Sequence, residues 1–341
     1  MTLPLTSPYP PMEARAVAAV PAGPEWQYEP KWDGFRCLVF RDGDDVTLQS
    51  KSGQPLTRYF PELVAAIRAV RAKAFALDGE IAVPDGPAFS FDALLQRIHP
   101  AASRVARLAK ETPAIFVVFD LLAEGKHALV DEPLATRRKA LERFATAQFH
   151  GETIRLSPAT TKLAEAKDWL ANVGSTLDGL IAKRVDQPYR SGERAGMEKI
   201  KTLRTIDCVV GGFRYGEGKK VVGSLLLGLY DDEGLLHHVG FTSSIKASER
   251  AALTAKLERL VGGPGFTGKA PGGPSRWSSK RSAEWQALKA KLVVEVCYDH
   301  FTGGRFRHGT KLLRFRPDKA PRQCTMDQLA QPRGNLLGLL R

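Results

Sequence analysis

The spacing of apolar residues changes after residue 202, and this change divides the chain into two parts. Before it, extended runs such as "FRCLVF", "DVTLQS" and "FALDGEIAV" alternate with helical patterns such as "PELVAAIRAVRA" and "PLATRRKALERF". After it, short strand-like runs are separated by the turn sequences "GEG" and "DDEG", with one helical pattern, "SERAALTAKLERLV". The first part is therefore predicted to be a mixed α+β domain with antiparallel sheets and flanking helices, and the second a small β-barrel.

The boundary between the two parts is placed near residues 202–207. This gives predicted domains at residues 1–203 and 204–320, followed by a C-terminal tail at 321–341. A chain of 341 residues is long enough for two hydrophobic cores. No apolar run approaches the roughly 18 residues of a membrane span, and the N-terminus has no basic segment before an apolar core. We therefore expect a cytoplasmic, nucleoid-associated protein without a membrane partner.

The charge of the chain favours a polyanionic partner. Lys and Arg number 50 against 37 Asp and Glu, which gives a net charge of +13. Residues 280–341 hold 13 basic and 5 acidic residues and thus contribute +8 of that total. A basic surface raises the expectation of nucleic acid as the partner, although a basic protein without one remains the alternative from charge alone.

The stretch "EPKWDGFRC" contains a lysine, Lys31, placed directly before Trp-Asp-Gly, with Arg36 three residues past the aspartate. Asp33-Gly34 predicts a turn that projects Lys31 from a strand end. A lysine amine must lose its proton before it can act as a nucleophile, so a nucleophilic lysine needs a special pocket. An exposed lysine at a hairpin is the other interpretation of this motif taken alone.

Four further motifs follow in order: "LDGE" with Glu80, "FVVFDLL" with Phe119, "LDGLIAKR" with Asp178 and Lys183, and "MEKIK" with Lys199 and Lys201. Two lysines on one side of an extended strand repel each other unless an anion bridges them, which favours a phosphate ligand. Each motif alone also fits a surface turn, a core aromatic or a solvated strand edge.

The ordered series, which ends in "RFRPDK", resembles the covalent nucleotidyltransferases, the superfamily of ATP-dependent DNA ligases and mRNA capping enzymes. The likeness runs from about residue 29 to residue 319 and is greatest to minimal two-domain bacterial ligases of the ligase C type. This resemblance implies an adenylation domain followed by an oligonucleotide-binding (OB) fold. It also implies nick sealing through a lysyl–AMP intermediate, AMP transfer to a 5′-phosphate and attack by the 3′-hydroxyl, in DNA repair.

The resemblance also implies roles for individual residues. Lys31 attacks the α-phosphate of ATP, Glu29 reads the adenine amino group, and Phe119 stacks on the adenine. Glu80 and Asp178 hold Mg²⁺ or Mn²⁺. The other nucleotide-binding positions contact the sugar and the phosphates: Arg36, Lys51, Glu80, Lys183, Lys199, Lys201, Arg316, Asp318 and Lys319. The implied substrate is nicked double-stranded DNA, and the implied oligomeric state is a monomer.

The chain departs from the usual family pattern at three positions. Asp178 stands where Glu is usual, Met197 where an aromatic is frequent, and Lys51 where relatives often carry Arg. None of these changes removes a residue that the covalent chemistry requires. An RNA guanylyltransferase or an RNA ligase shares the lysine chemistry and is the alternative among enzymes. A non-catalytic protein that binds nucleic-acid ends is the alternative of another class.

Overall fold

The computed structural model describes residues 3–173, 177–218, 220–272, 284–330 and 334–340. The chain forms two compact units, the first from residues 1–202 and 332–341 and the second from residues 203–331. The predicted first domain, 1–203, ends one residue beyond the main segment of the first unit. The structure divides the predicted tail, 321–341, between the two units instead of leaving it as one segment.

The first unit combines strands and helices, as the sequence predicts. Its strands are β1 (Arg15–Ala16), β2 (Trp26–Pro30), β3 (Phe35–Asp42), β4 (Asp45–Ser50), β5 (Ala74–Ala82), β6 (Pro84–Asp85), β7 (Ala88–Phe89), β8 (Ile115–Glu124), β9 (His127–Ala128), β10 (Ile154–Leu156), β11 (Gly179–Arg184) and β12 (Met197–Lys201). Its helices are α1 (Pro61–Ala69), α2 (Phe91–Gln96), α3 (Ala102–Glu111), α4 (Leu134–Gln148) and α5 (Leu163–Val173). The mixed α+β class is confirmed.

Two larger sheets and the short β6-β7 pair build the first unit. One has the strand order β1-β12-β11-β2, and the other has the order β10-β8-β5-β3-β4, with β9 beside β8. Side chains alternate along β8, so Phe116 and Val118 join the core beneath α1 and α4, whereas Val117 and Phe119 pack in the cluster that includes β2, β11 and α5. This alternation gives β8 a buried face toward each layer.

Local sequence signals explain most of these elements. Pro61 occupies the first turn of α1, and the Ser90 hydroxyl caps α2 by accepting a hydrogen bond from the Ala93 N–H at 3.2 Å. The "RDGDD" turn joins β3 to its antiparallel partner β4, with Gly43 at a positive φ of 66°. None of the described helices is both long and apolar enough to cross a lipid bilayer.

The second unit consists of strands and one α-helix in its described part. The strands are β13 (Arg204–Tyr215), β14 (Val222–Tyr230), β15 (Leu236–Thr242), β16 (Gln286–Ala287), β17 (Val293–Tyr298), β18 (Phe301–Thr302), β19 (Arg305–Phe306) and β20 (Lys311–Phe315), and the helix is α6 (Arg250–Glu258). The principal sheet has the order β15-β14-β13-β17-β20, with β16 beside β13.

The sheet of the second unit is not a closed barrel over the residues that the structure describes. Its two edge strands are joined only by an isolated parallel bridge between Thr242 and Thr310. The sheet bends because β13 carries register shifts, between Val210 and Gly212 and again before Tyr215, and it pairs with β17 at one end and β16 at the other. The small β-barrel predicted from the sequence therefore takes the form of a curled, partly open sheet, a form that OB-folds also adopt.

Residues 334–340 return to the first unit. The Leu336 N–H donates to the Pro87 carbonyl at 2.8 Å, and an Arg155 Nη2–H donates to the Leu340 carbonyl at 3.2 Å. Leu336 and Leu340 are buried in the cluster that also contains Trp169. The sequence interpretation of this segment as a tail gave no hint of that packing.

Candidate active site

The Lys31 segment is a short connection between β2 and β3, and both its backbone and its next side chain are fixed. The Lys31 N–H donates to the Gly179 carbonyl at 2.9 Å, which ties the segment to the start of β11. Trp32 is buried, and its indole N–H donates to the Ser157 hydroxyl at 2.9 Å. The base of the lysine side chain is therefore held on both sides.

Gly34 brings this segment against β5. Its N–H donates to Oε1 of Glu80 at 3.1 Å, and a Cβ atom at this position would overlap the carbonyl oxygen of Ile81. Only glycine permits so close an approach of two backbones. The Asp-Gly pair of the sequence motif thus fixes the distance between Lys31 and the Glu80 strand.

The Lys31 amine points to an acidic partner. Its Nζ is in direct contact with Oδ2 of Asp178, which immediately precedes β11. The Lys31 side chain is 20% exposed and the Asp178 side chain 4%. The amine is therefore reachable from solvent yet held against a buried carboxylate, which excludes the interpretation of Lys31 as a freely exposed surface lysine.

Glu80 faces the same amine from β5. Burial raises the pKa of the Glu80 carboxyl to about 7, although the charges of Arg36 and Lys31 act in the opposite direction. Glu80 and Asp178 are thus two carboxyls that act on the Lys31 amine.

The buried end of the site surrounds Glu29. Its Oε1 accepts a hydrogen bond from the Gln27 side-chain N–H at 2.8 Å, and its Oε2 lies 2.7 Å from Nζ of Lys183. The contact with Lys183 is an ion pair without hydrogen-bond geometry. Lys183 also lies over the ring of Phe119, 4.5 Å from its centroid.

A β-bulge presents Phe119 to the site. In the ladder between β5 and β8, Asp78 pairs with Asp120 and Gly79 pairs with Val118, so Phe119 has no residue opposite it. The Arg36 guanidinium lies 4.8 Å from the centre of the Phe119 ring. The ring therefore has two cations close to it.

Arg36 is held by a buried carboxylate. Its Nε and Nη2 donate to the two oxygens of Asp78, each at 2.6 Å, and Asp78 also accepts the Tyr189 hydroxyl at 2.6 Å. Burial opposes the charged guanidinium, but the attraction of Asp78 outweighs it and raises the pKa of Arg36. This bidentate pair fixes the direction in which Arg36 faces the pocket.

Cations gather at the other end of the site. Burial, followed by repulsion from Lys31 and Lys51, lowers the pKa of the Lys199 ammonium. Glu13 partly offsets this charge, since its Oε2 accepts from Lys51 and from Arg194, each at 3.1 Å. A group of lysines that disfavour one another's charge is suited to binding an anion.

Most of these residues line one pocket, which is open to solvent at its mouth. Both sheets of the first unit contribute side chains to it. The expected residues among its lining are Glu29, Lys31, Arg36, Lys51, Glu80, Phe119, Lys183 and Lys199. Lys201, at the far end of β12, lies opposite Gly179 and is not among the lining residues that the structure describes.

The last three expected residues form a cluster within the second unit. Arg316 lies 3.1 Å from one Asp207 oxygen and 2.8 Å from Asp318, and Lys319 lies 2.7 Å from the other Asp207 oxygen. A hydrogen bond from Arg316 lowers the pKa of Asp318 to about 2. Asp207 was not expected here, because the sequence does not reveal which carboxylate pairs with a distant basic motif.

Sequence reasoning also missed Gln27, Asp78, Tyr189 and Glu13. Asp78 belongs to the quoted "LDGE" motif, and its spacing of two from Glu80 is the one signal that pointed to it. Gln27 precedes Glu29 by the same spacing, but a glutamine on a strand has no distinctive pattern. Tyr189 and Glu13 come from distant segments, and only the fold brings them to the site.

Two family models match successive parts of the chain. The ATP dependent DNA ligase domain matches residues 11–201, and the ATP dependent DNA ligase C terminal region matches residues 218–319. DNA ligase C1 of Mycolicibacterium smegmatis is 46% identical over 97% of each chain. The multifunctional non-homologous end joining DNA repair protein LigD of Mycobacterium tuberculosis is 31% identical over 89% of this chain and 38% of its own length.

A solved structure of a Lig E DNA ligase has a TM-score of 0.53 with 16% identity, covering 90% of this chain and 99% of that chain. At this identity the likeness concerns the fold alone. The two matched regions cover most of the sequence, in the order expected of an enzyme of this kind. Because a relative with 46% identity also spans almost the full length, the chain belongs to the ATP-dependent DNA ligases.

Proposed function

We propose that this ligase seals nicks in double-stranded DNA through an AMP group bound covalently to Lys31. The observation that carries the proposal is the position of the Lys31 amine, in contact with Asp178 and at the wall of a pocket lined by acidic, aromatic and cationic side chains. The pocket has an acidic, aromatic end at Glu29 and Phe119 and a cationic end at Lys199. Such polarity suits a purine at one end and phosphates at the other.

In the first step the Lys31 nitrogen attacks the α-phosphorus of ATP. A P–N bond forms, the bond from phosphorus to the β-phosphate oxygen breaks, and pyrophosphate leaves. The amine proton passes to the Asp178 carboxylate, which touches the amine. Phosphoryl transfer depends mostly on positioning and on neutralising charge, and Lys199 serves that purpose on the α-phosphate. The same role expected of Lys201 stays a prediction, because Lys201 is not among the described lining residues.

The base end receives the adenine. Glu29 accepts the adenine amino group, and Phe119 offers its ring to the base. The expected contact of Lys183 with the α-phosphate stays a prediction, because its ammonium lies on Glu29 and over Phe119. Arg36 and Lys51 contact the nucleotide sugar and later the 5′-phosphate of the nick.

In the second step the 5′-phosphate of the nick attacks the same phosphorus and displaces Lys31, giving an AMP-capped DNA end. In the third, the 3′-hydroxyl attacks the DNA phosphate, a phosphodiester forms and AMP leaves. The cluster of Arg316, Asp318 and Lys319 acts on the pyrophosphate leaving group of the first step. That role requires a domain movement, with residues 202–207 as the hinge.

Glu80 and Asp178 fit a divalent metal ion, Mg²⁺ or Mn²⁺. Two carboxylates with phosphates and water would complete the oxygen set that Mg²⁺ prefers, and both carboxyls act on the Lys31 amine. When bound, the ion supplies charge neutralisation on the phosphate oxygens. The likeness to LigD, which is named a DNA repair protein, supports a role in repair.

Covalent labelling tests this proposal. Incubation with ATP labelled at the α-phosphate should leave the label on the protein, and addition of nicked duplex should release it while the nick is sealed. Labelling by GTP alone would instead indicate a guanylyltransferase, the alternative that the motifs left open. Release of label by nicked RNA but not by nicked DNA would indicate an RNA ligase.

A further inference from the structure

The carboxylate of Glu29 is held from two directions at the buried end of the pocket. Gln27 donates a hydrogen bond to Oε1 at 2.8 Å, and the Lys183 ammonium lies 2.7 Å from Oε2. All three side chains are nearly inaccessible to solvent, with exposures of 6% for Gln27, 2% for Glu29 and 5% for Lys183. Their orientation is therefore set by one another and by the strands that carry them.

The register of the sheet explains how the three residues meet. Gln27 and Glu29 are two positions apart on β2, so their side chains share a face. Lys183 lies directly opposite Gln27 on β11, and Ile181 lies opposite Glu29. The amide and the ammonium thus approach the carboxylate from neighbouring positions of the same sheet.

Lys183 and Gln27 affect Glu29 in different ways. Lys183 balances the buried negative charge, which is costly to leave unpaired. Gln27 carries no charge and adds little to that balance, but its directional hydrogen bond fixes the rotation of the carboxylate. An ion pair alone leaves the Glu29 carboxylate free to turn about its last bond, because that torsion is broad.

A carboxylate has about four lone-pair sites, and one of them accepts the hydrogen bond from Gln27. The remaining sites can only accept hydrogen bonds. They suit the exocyclic amino group of adenine, which donates, and they repel the 6-oxo group of guanine or hypoxanthine, which accepts.

We infer that Gln27 is a positioning residue for base selection, which holds Glu29 as a fixed acceptor for the amino group of ATP. This inference rests on the proposed function, since it takes the Lys31 pocket as the ATP site. It assigns to Gln27 an effect on which nucleotide reacts with Lys31, and no part in the chemical step itself.

The test compares ATP with nucleotides altered at the purine 6-position. ATP carries the amino group and purine riboside triphosphate carries hydrogen there, while ITP carries oxygen there and a hydrogen on N1. The wild-type chain is expected to form the covalent nucleotide adduct with a kcat/KM that is highest for ATP. In Gln27→Met, which keeps the length but removes the donor, the ratio of ATP to purine riboside triphosphate should fall about tenfold.

A merely structural role for Gln27 would lower kcat/KM for both nucleotides equally and leave their ratio unchanged, which would overturn the inference. The matched control is Gln49→Met. Gln49 is 1% exposed and holds the backbone of Tyr9, outside the lining of the pocket. This control should lower stability and keep the wild-type nucleotide ratio.

Two further measurements test the inference if Gln27→Met does not fold. Gln27→Asn retains the amide but is too short to reach Glu29, so it should lose the same preference. In the wild-type protein itself, equal kcat/KM for ATP and purine riboside triphosphate would overturn the inference without any variant. Failure to form an adduct with any nucleotide would instead contradict the proposed function.

Discussion

The carboxylate of Asp178 contacts the amine of Lys31, and the residue after it, Gly179, accepts the backbone N–H of the same lysine. One end of β11 therefore fixes both the main chain and the reactive nitrogen. The shorter side chain at a position where relatives often carry Glu still reaches the amine, because the Lys31 backbone is bound so close to it.

Asp178→Asn should slow formation of the protein–AMP adduct by about 10²-fold, since the amide neither takes the amine proton nor holds a metal ion well. Rates of adduct formation under single-turnover conditions measure this loss. The control is Asp186→Asn, which removes an exposed partner of Arg184. Equal rates in both variants would rule out a role for Asp178 in the first step.

Acid should destabilise the second unit through His238. Burial, with repulsion from Arg305, lowers the pKa of this imidazole to about 4 from 6.5. The unfolded chain therefore binds the proton more readily than the folded chain does. The contribution of the neutral His238 side chain to the free energy of unfolding is thus fully present above pH 6.5 and is lost as the pH falls toward 4. The loss amounts to about 3 kcal/mol.

His238→Gln removes this titration, so its melting temperature should fall less than that of the wild type between pH 7 and pH 4.5. The variant can be less stable than the wild type at pH 7. The test therefore compares how much the melting temperature of each protein changes with pH. His127→Gln, at an exposed site of the first unit, serves as the control. Parallel pH profiles for wild type and His238→Gln would contradict the assignment.

Residues 334–340 should contribute to the stability of the first unit. Leu336 is 3% exposed in the cluster with Trp169, and a charge placed there has no partner. Leu336→Asp should release the segment and cost about 2 kcal/mol of the free energy of unfolding. Leu95→Asp, at a leucine of the same unit that is 50% exposed, should cost much less. Equal urea midpoints for the two variants would show that the segment does not stabilise the unit.

Binding to nicked DNA should weaken steeply as salt is added. The chain carries a net charge of +13, with +8 of it in residues 280–341. If about four phosphates are contacted, the affinity should fall by about 10²-fold between about 50 and 200 mM salt. Titration of a labelled nicked duplex at several salt concentrations measures the slope. An affinity that does not change over this range would argue against extensive phosphate contacts.

Much of the fold of the first unit was predictable from the sequence. The spacing of apolar residues and the turn and capping residues agree there with the observed helices and strands. The Pro61 start of α1, the Ser90 cap of α2 and the turn before β4 are local signals that tertiary packing did not override. Helix α3 was missed because it buries only Val105 and Leu108 among mostly polar neighbours. How far the sheet of the second unit closes depends on register shifts in β13, which sequence spacing does not reveal.

Site residues that belong to a motif of fixed spacing could be predicted from the sequence. Residues that act only through a contact in the folded chain could not. Lys31, Gly34 and Glu80 have fixed spacings because backbone geometry and charge demand them. Gln27 and Asp207 act through hydrogen bonds and ion pairs that residues of many spacings can make. Their roles became visible only from the distances in the folded chain.

The central claim is that AMP bonds to the nitrogen of Lys31, and intact mass spectrometry tests it most directly. After incubation with ATP and a divalent metal, the wild-type chain should gain the mass of one AMP, located on the peptide that contains Lys31. Lys31→Ala should show no gain, while Lys51→Ala, which removes a neighbouring lysine of the pocket, should still be labelled. An AMP increment that persists in Lys31→Ala, or that maps to another peptide, would contradict the account.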